Sequence, residues 1–218
     1  MAEQPHLIVG NKKYSSWSMR PWLALRVAGL DFNETVLPLY GDDWPETKQR
    51  LLPSLTVPVL RFGETTVWDS LAIMETIAEL APDAGLWPRA PDARRLARSV
   101  SAEMHSSFQA LRAECPMVLH ERRSVTLSDA CRNDIVRIQF VWCHCRERFG
   151  QDGPYLFGKD FTIADAMFAP VVTRFETYAI ALEDDAAAYR DAVLGHVAVR
   201  QWYQDAAQEP WRIARYDR

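Results

Sequence analysis

The chain lacks most of the signals that assign a protein at once. None of its apolar runs approaches the ~20 residues of a membrane-spanning helix, so no membrane partner is expected. Its start, Met1-Ala-Glu-Gln-Pro-His, has no basic segment followed by a long apolar one, so a cytoplasmic setting is expected. Cysteine is sparse. Cys115, Cys131, Cys143 and Cys145 include no CxxC pair and read as free thiols rather than a disulfide framework. Positive charge is not in excess: 25 Lys and Arg against 29 Asp and Glu give 25 − 29 = −4. No face clusters basic residues with aromatics, so nucleic acid is not an expected partner. The GxGxxG, P-loop, GxSxG and HExxH motifs are all absent.

What is present is an ordinary globular composition, 48% hydrophobic and 25% charged over 218 residues. This length allows one or two domains. It buries about 70% of the unfolded surface without staples.

The first eighty residues alternate in period. His6 to Gly10 is a short apolar run and reads as a buried strand. Ser18 to Ala28 reads as a helix, with Pro21 in its first turn and Gly29 just beyond its end. Phe32 to Leu39 reads as a second strand. Gly41 to Leu52 is a polar loop with a short helix inside. Val57 to Phe62 and Thr65 to Trp68, joined through Gly63, form a hairpin signal. Asp69-Ser70 opens a helix whose apolar face carries Leu71, Met74, Ile77 and Ala78. A parallel pair with a crossover helix, followed by a hairpin, gives a mixed four-stranded sheet.

Residues 82–92 hold three prolines and a glycine and read as a linker. Beyond it every periodic stretch is helical, over 93–115, 129–149, 162–178 and 193–207. The chain thus divides into an α/β domain over 1–81, a linker over 82–92 and an all-helical domain over 93–218.

Four short stretches can carry chemistry. Tyr14-Ser15-Ser16-Trp17-Ser18-Met19-Arg20 joins a buried strand to a helix start, where hydroxyls and amides meet the positive end of a helix dipole. Ser15 and Ser18 have the spacing of a redox CxxC. Hydroxyls there cannot exchange disulfides, but they can donate hydrogen bonds to another molecule's thiolate. A plain helix cap is the alternative reading. Val57-Pro58 marks an edge or an X-Pro bend, cis or trans. Asp69-Ser70 at a helix start either caps that helix or holds an α-carboxylate and an α-amine. Thr162-Ile163-Ala164-Asp165 has the form of a capping box, with Phe161 as its staple, and reads as structural. Cys143-His144-Cys145 suggests a metal motif, but residues two apart on a helix point about 200° from each other. No metal site is expected.

The order of strand, serine loop, helix, Val57-Pro58-Val59-Leu60, hairpin, Asp69-Ser70-Leu71-Ala72-Ile73, linker, helices and Thr162–Asp165 resembles the cytosolic glutathione S-transferase superfamily. The resemblance runs over nearly the whole chain. Within the superfamily, the loop is most similar to bacterial-type members of the zeta and theta-like serine classes. Zeta members carry Ser-Ser-Cys-Ser-x-Arg there, and Trp17 stands in place of the cysteine.

The resemblance implies a thioredoxin-like N-terminal domain, an all-α C-terminal domain and a homodimer. It implies a glutathione transferase that turns the co-substrate's thiol on a small hydrophobic electrophile, as in detoxification. Ser15, five residues before Arg20, matches the serine that activates the glutathione sulfur, with Ser16 as the alternative. Val57 matches the residue whose backbone pairs with the cysteinyl part, and Pro58 the cis-proline after it. Asp69 and Ser70 match the pair that holds the γ-glutamyl end, where the family more often has Glu or Gln than Asp. No motif locates the cation for the glycyl carboxylate, and Lys48 is the candidate. Met104, His105 and Phe108 are candidates for the electrophile site. A non-catalytic glutathione-binding scaffold and an isomerase of the maleylacetoacetate type are the alternatives. Thiol–disulfide exchange is disfavoured by the absence of cysteine at positions 15 and 18.

Overall fold

A computed structural model describes residues 4–41 and 43–216. The leader reading at Met1–Glu3, Asp42 in the polar loop, and the last two residues of the helical domain lie outside the described residues.

The apolar run forms β1 (His6–Gly10), with Leu7 and Val9 fully buried. It lies inside a four-stranded sheet of order β2-β1-β3-β4. β2 (Asn33–Leu37) runs parallel to β1 with Ile8 opposite Thr35. β3 (Val59–Phe62) is antiparallel on its other side, and β4 (Thr65–Trp68) returns from it. Phe62 pairs with Thr65, so the hairpin loop is two residues long. Gly63 takes φ +59° there, as the mirror-image turns of short hairpins require. The mixed sheet is the one expected. Both β2 and β3 are shorter than their sequence patterns, and β3 starts at Val59, after the proline that cannot donate to the ladder.

A parallel pair needs a crossover, and α1 (Ser16–Val27) supplies it. It begins two residues earlier than expected. Pro21 therefore sits inside the helix, where it removes the bond to the Trp17 carbonyl. The helix ends as its glycine predicts. Gly29 (φ +66°) donates to the Arg26 carbonyl at 3.2 Å, and Leu30 N–H reaches the Leu25 carbonyl at 3.3 Å, a Schellman closure. α1 packs between the sheet, α3 (Ser70–Leu80) and α7 (Ile163–Thr177), so Met19, Trp22, Leu23 and Leu25 are all fully buried. A short α2 (Trp44–Gln49) interrupts the polar loop. On α3 the core face is Ile73, Met74 and Ile77, while Leu71 and Ala78 are only half-buried.

After a 3₁₀ turn at Pro82–Ala84 the chain is helical. The helix expected over 93–115 is two helices, α4 (Pro91–Ser106) and α5 (Gln109–Glu114). The break has a cause. Phe108 is buried in a left-handed conformation (φ +65°), and Arg112 folds back to cap the end of α4, donating to the carbonyls of Ser107 (3.0 Å) and Met104. α6 (Asp129–Phe149) follows as expected. The helix expected over 193–207 starts four residues later as α9 (Val197–Ala207), and a further helix, α8 (Asp184–Gly195), precedes it. α8 escaped the sequence reading because its buried face is only Ala186, Tyr189 and Val193.

α7 is buried almost throughout, and its start is held by the capping box. Asp165, fully buried, accepts from Thr162 N–H and Thr162 Oγ at 2.8 Å each through one oxygen. Its other oxygen accepts from Leu156 N–H at 3.0 Å. Burial nevertheless pushes the carboxyl pKa up, so the hydrogen bonds only partly offset the desolvation. Asp165→Ala leaves buried donors unpaired and is expected to lose about 2–4 kcal/mol in urea unfolding. A loss below about 1 kcal/mol would contradict the structural role.

Candidate functional site

The loop from Asn11 to Ser15 joins β1 to α1 and is anchored on every side. Asn11 Oδ1 accepts from Leu39 N–H at 2.7 Å. The Lys12 ammonium, almost wholly buried, lies 2.6 Å from both Glu34 and Asp205 carboxylates and over the rings of Trp22 and Trp202. Trp202 Nε1 donates to the Lys12 carbonyl at 3.0 Å, and Glu209 accepts from Lys12 N–H at 2.7 Å. The loop is therefore fixed to the sheet and to the last helix before Ser15 is reached.

Ser15 occupies the N-cap position of α1, yet its side chain does not cap the helix. Its hydroxyl donates to Ser18 Oγ at 2.7 Å, and Ser18 Oγ also accepts from Gly10 N–H at 3.0 Å. Ser16 Oγ accepts from the Arg174 guanidinium at 3.2 Å. Ser15 and Ser16 are both buried and both line a cavity of about 570 Å³.

The same cavity collects the other five residues named for a glutathione site. Val57 and Pro58, joined by a cis peptide bond, lie on its wall just before the first ladder pair of β3. Asp69 and Ser70 sit at the start of α3. Lys48 approaches from α2, its ammonium 5.8 Å from the Trp44 ring centre. Asp69 has φ +71° and ψ +130°, a strained conformation for a residue with a side chain. Of the two roles left open above, it fills that of the cap. Oδ1 caps α3, accepting from Leu71 N–H at 2.9 Å and Ala72 N–H at 3.4 Å. Those two amides are thus taken, while Oδ2 remains free of the helix. Ser70 Oγ, buried and on the cavity, has no hydrogen-bond partner among the described residues.

The three electrophile-site candidates are placed differently and do not line the cavity. Met104 is fully buried in the core, and Phe108 is buried at the break between α4 and α5. His105 turns its Nε2 to Asp69 Oδ2, 3.1 Å away. The helical wall is made instead by Arg112, Pro116, Met117 and Arg174, with Tyr216 closing one side against Tyr14, ring centres 5.7 Å apart.

Sequence reasoning missed Arg174 and Arg112. Arg174 had a signal, a lone charge inside the apolar run Met167 to Phe175. It is fully enclosed and held by the carbonyls of Cys115 (2.9 Å) and Pro170 (3.0 Å). Burial and the neighbouring Arg112 push its pKa down to about 10, so it stays charged at neutral pH. Arg112 is also lowered by burial. A third arginine, Arg20, is fully buried against the Trp17 ring at 4.3 Å, with both Nη atoms unpartnered among the described residues. Burial, then Arg112 and Arg174, push its pKa well down. No carboxylate pairs with any of the three in an ion pair among the described residues. The charged residues lining the cavity are Lys48, Arg112 and Arg174 against Asp69, 3 − 1 = +2, in a chain of net charge −4.

A small concave site with a few convergent polar groups, a buried hydroxyl at a helix start and a positive wall is complementary to a small, polar, anionic molecule. The fold narrows the class. It is that of a Burkholderia glutathione transferase homologue solved with bound glutathione, at TM-score 0.73 and 22% identity over 95% of this chain and 100% of that one. A glutathione S-transferase from the Antarctic clam Laternula elliptica is similar at TM-score 0.71 and 18% identity, covering 94% and 95% of the two chains. Residues 14–80 match the glutathione S-transferase N-terminal domain and residues 93–205 the C-terminal domain, so the chain belongs to the glutathione S-transferase family. Among curated relatives, the maleylacetoacetate isomerases of mouse and rat are 29% and 27% identical over 176 and 173 residues, covering 77% of each chain in both cases.

Proposed function

We propose that the protein binds glutathione in this cavity and uses Ser15 to hold its thiolate for attack on a small electrophile. The convergence of Ser15, Ser16, Lys48, Val57, Pro58, Asp69 and Ser70 on one cavity carries this reading. Ser70 Oγ, buried without a partner, suits the γ-glutamyl carboxylate. Asp69 Oδ2 suits the adjacent ammonium, the backbone of Val57 the cysteinyl amide, and Lys48 the glycyl carboxylate.

In the free protein the Ser15 hydroxyl is turned to Ser18. When sulfur arrives, Ser15 redirects its proton to the thiolate, and the Ser18 hydroxyl is placed to donate to Ser15 in turn. No proton leaves either serine. The start of α1 and the two wall arginines add positive potential at the sulfur.

The size of this effect is limited. A thiol of pKa ~8.5 is about 3% thiolate at pH 7. Lowering the pKa by about 2 units gives roughly 75%, about 25-fold more. The accompanying loss of nucleophilicity is about 8-fold at a Brønsted slope near 0.45, leaving about 3-fold. Most of the acceleration therefore comes from holding the thiolate against a bound electrophile.

A second reaction is favoured by the arginines. Arg112 and Arg174, free of carboxylate partners, suit an electrophile that carries its own carboxylate. This accords with the maleylacetoacetate isomerase names of the relatives. An isomerisation of that kind balances if the thiolate adds to a cis double bond conjugated with a ketone, the π pair moves to the ketone oxygen as an enolate, the new single bond rotates, and the returning pair expels the thiolate to leave the trans double bond. We infer further that the protein is cytoplasmic and homodimeric, with the exposed Leu52, Leu55 and Trp68 in the interface.

Four outcomes are expected. Ser15→Ala should lower kcat by more than the about 3-fold that the pKa alone supplies, because the positioning of the thiolate is lost with the hydrogen bond, while glutathione still binds. Ser16→Ala should change kcat less, and the reverse ranking would transfer the role to Ser16. Arg174→Met should impair turnover of a cis-unsaturated keto-diacid at least tenfold more than that of a neutral aryl halide. Equal losses on the two would exclude a carboxylate role for Arg174. Sedimentation at micromolar concentration should give twice the chain mass, and a single-chain mass would exclude the dimer.

A further inference from the structure

We propose that His105 is a positioning residue that aims the Asp69 carboxylate at the α-ammonium of the bound thiol peptide. The inference rests on the glutathione reading above and deepens it.

Three elements meet at this corner of the cavity: the start of α3 with Asp69, the last turn of α4 with His105, and the first turn of α1 with Trp17. An aspartate carboxylate offers about four lone-pair directions. Two are filled by hydrogen bonds, since Oδ1 accepts from Leu71 and Ala72 N–H, and His105 Nε2 stands 3.1 Å from Oδ2. One direction on Oδ2 remains, and Asp69 lines the cavity. An ammonium can take that position without displacing any protein contact.

The need for a second support follows from the residue type. Aspartate is one methylene shorter than glutamate, so it cannot extend to find an amine. Its oxygen must already be aimed. The α3 amides hold the carboxylate only through Oδ1, the second at 3.4 Å, and His105 supports the same rigid group from its other oxygen. The left-handed backbone at Asp69 (φ +71°) adds to the demand, because a strained conformation persists only when its surroundings over-determine it.

His105 is itself well held. Its ring stands edge-on to Trp17, centres 5.2 Å apart at 73°. The Trp17 ring is in turn gripped by the guanidinium groups of Arg20 at 4.3 Å and Arg112 at 4.9 Å. The other imidazole nitrogen, Nδ1, is buried without a hydrogen-bond partner among the described residues. The polar capacity of the ring is thus directed at Asp69. A residue that merely tied α4 to α3 would serve equally well through apolar contact. It would not need a ring nitrogen against the carboxylate of a residue that lines the cavity.

The test is calorimetric titration of the full chain with reduced glutathione and with its deaminated analogue, in which hydrogen replaces the α-ammonium. Wild type should bind glutathione more tightly than the analogue. His105→Ala should weaken glutathione about 3- to 10-fold, the range of one hydrogen bond, and leave the analogue within about twofold. Turnover at saturating glutathione should be unchanged, so the loss appears in KM. His105→Gln, which can donate from nearly the same position, should recover most of the affinity.

Equal weakening of both ligands in His105→Ala, or no weakening of either, would overturn the proposal. So would failure of His105→Gln to recover affinity. Equal binding of the two ligands by wild type would remove the amine contact from Asp69 and overturn it too, while leaving glutathione as the ligand. Failure of wild type to bind glutathione would instead sink the function on which the inference rests.

Discussion

The site depends on one buried cation. Lys12 carries its ammonium between Glu34 on β2 and Asp205 on α9, 2.6 Å from each, under the rings of Trp22 and Trp202. An isolated charge at that depth would be strongly disfavoured. Two carboxylates and two aromatic faces offset the desolvation. Removing any partner leaves the others uncompensated, so sheet, α1 and α9 are tied at one point. Ser15 lies three residues further on, and its position follows from that tie.

Around this fixed point the molecule carries polar groups that folding alone does not satisfy. Ser70 Oγ and both Nη atoms of Arg20 are buried without partners among the described residues, and Arg112 and Arg174 face the cavity without carboxylates. Each such group lowers stability. Ser70, Arg112 and Arg174 line one cavity, and the proposed binding role accounts for keeping such groups there. The field they make is positive, which suits a ligand with two carboxylates and a thiolate.

Much of this was legible in the sequence, and the limits have physical reasons. Short apolar runs and turn residues located the four strands, because strand burial and hairpin glycine are local properties. The serine loop, Val57-Pro58 and Asp69-Ser70 were legible as motifs because each depends on a helix start or a bend. The break at Phe108 was not, since it depends on Arg112 reaching back to the end of α4, and helical periodicity continues across it. For the same reason the sequence does not show that Met104 and Phe108 lie off this cavity. Register on a long helix does not say which side meets the cavity once the helix is broken. The contact of His105 with Asp69, 36 positions away, is set by how α4 crosses α3. Arg174 is a lone charge in an apolar helix, but nothing local to that helix says that it meets the cavity.

A crystal structure of the protein with reduced glutathione would test the central claim most directly. The account predicts the sulfur within about 3.5 Å of Ser15 Oγ, with the γ-glutamyl ammonium on Asp69 Oδ2 and its carboxylate on Ser70 Oγ. A sulfur held by another residue, or glutathione bound outside this cavity, would contradict it.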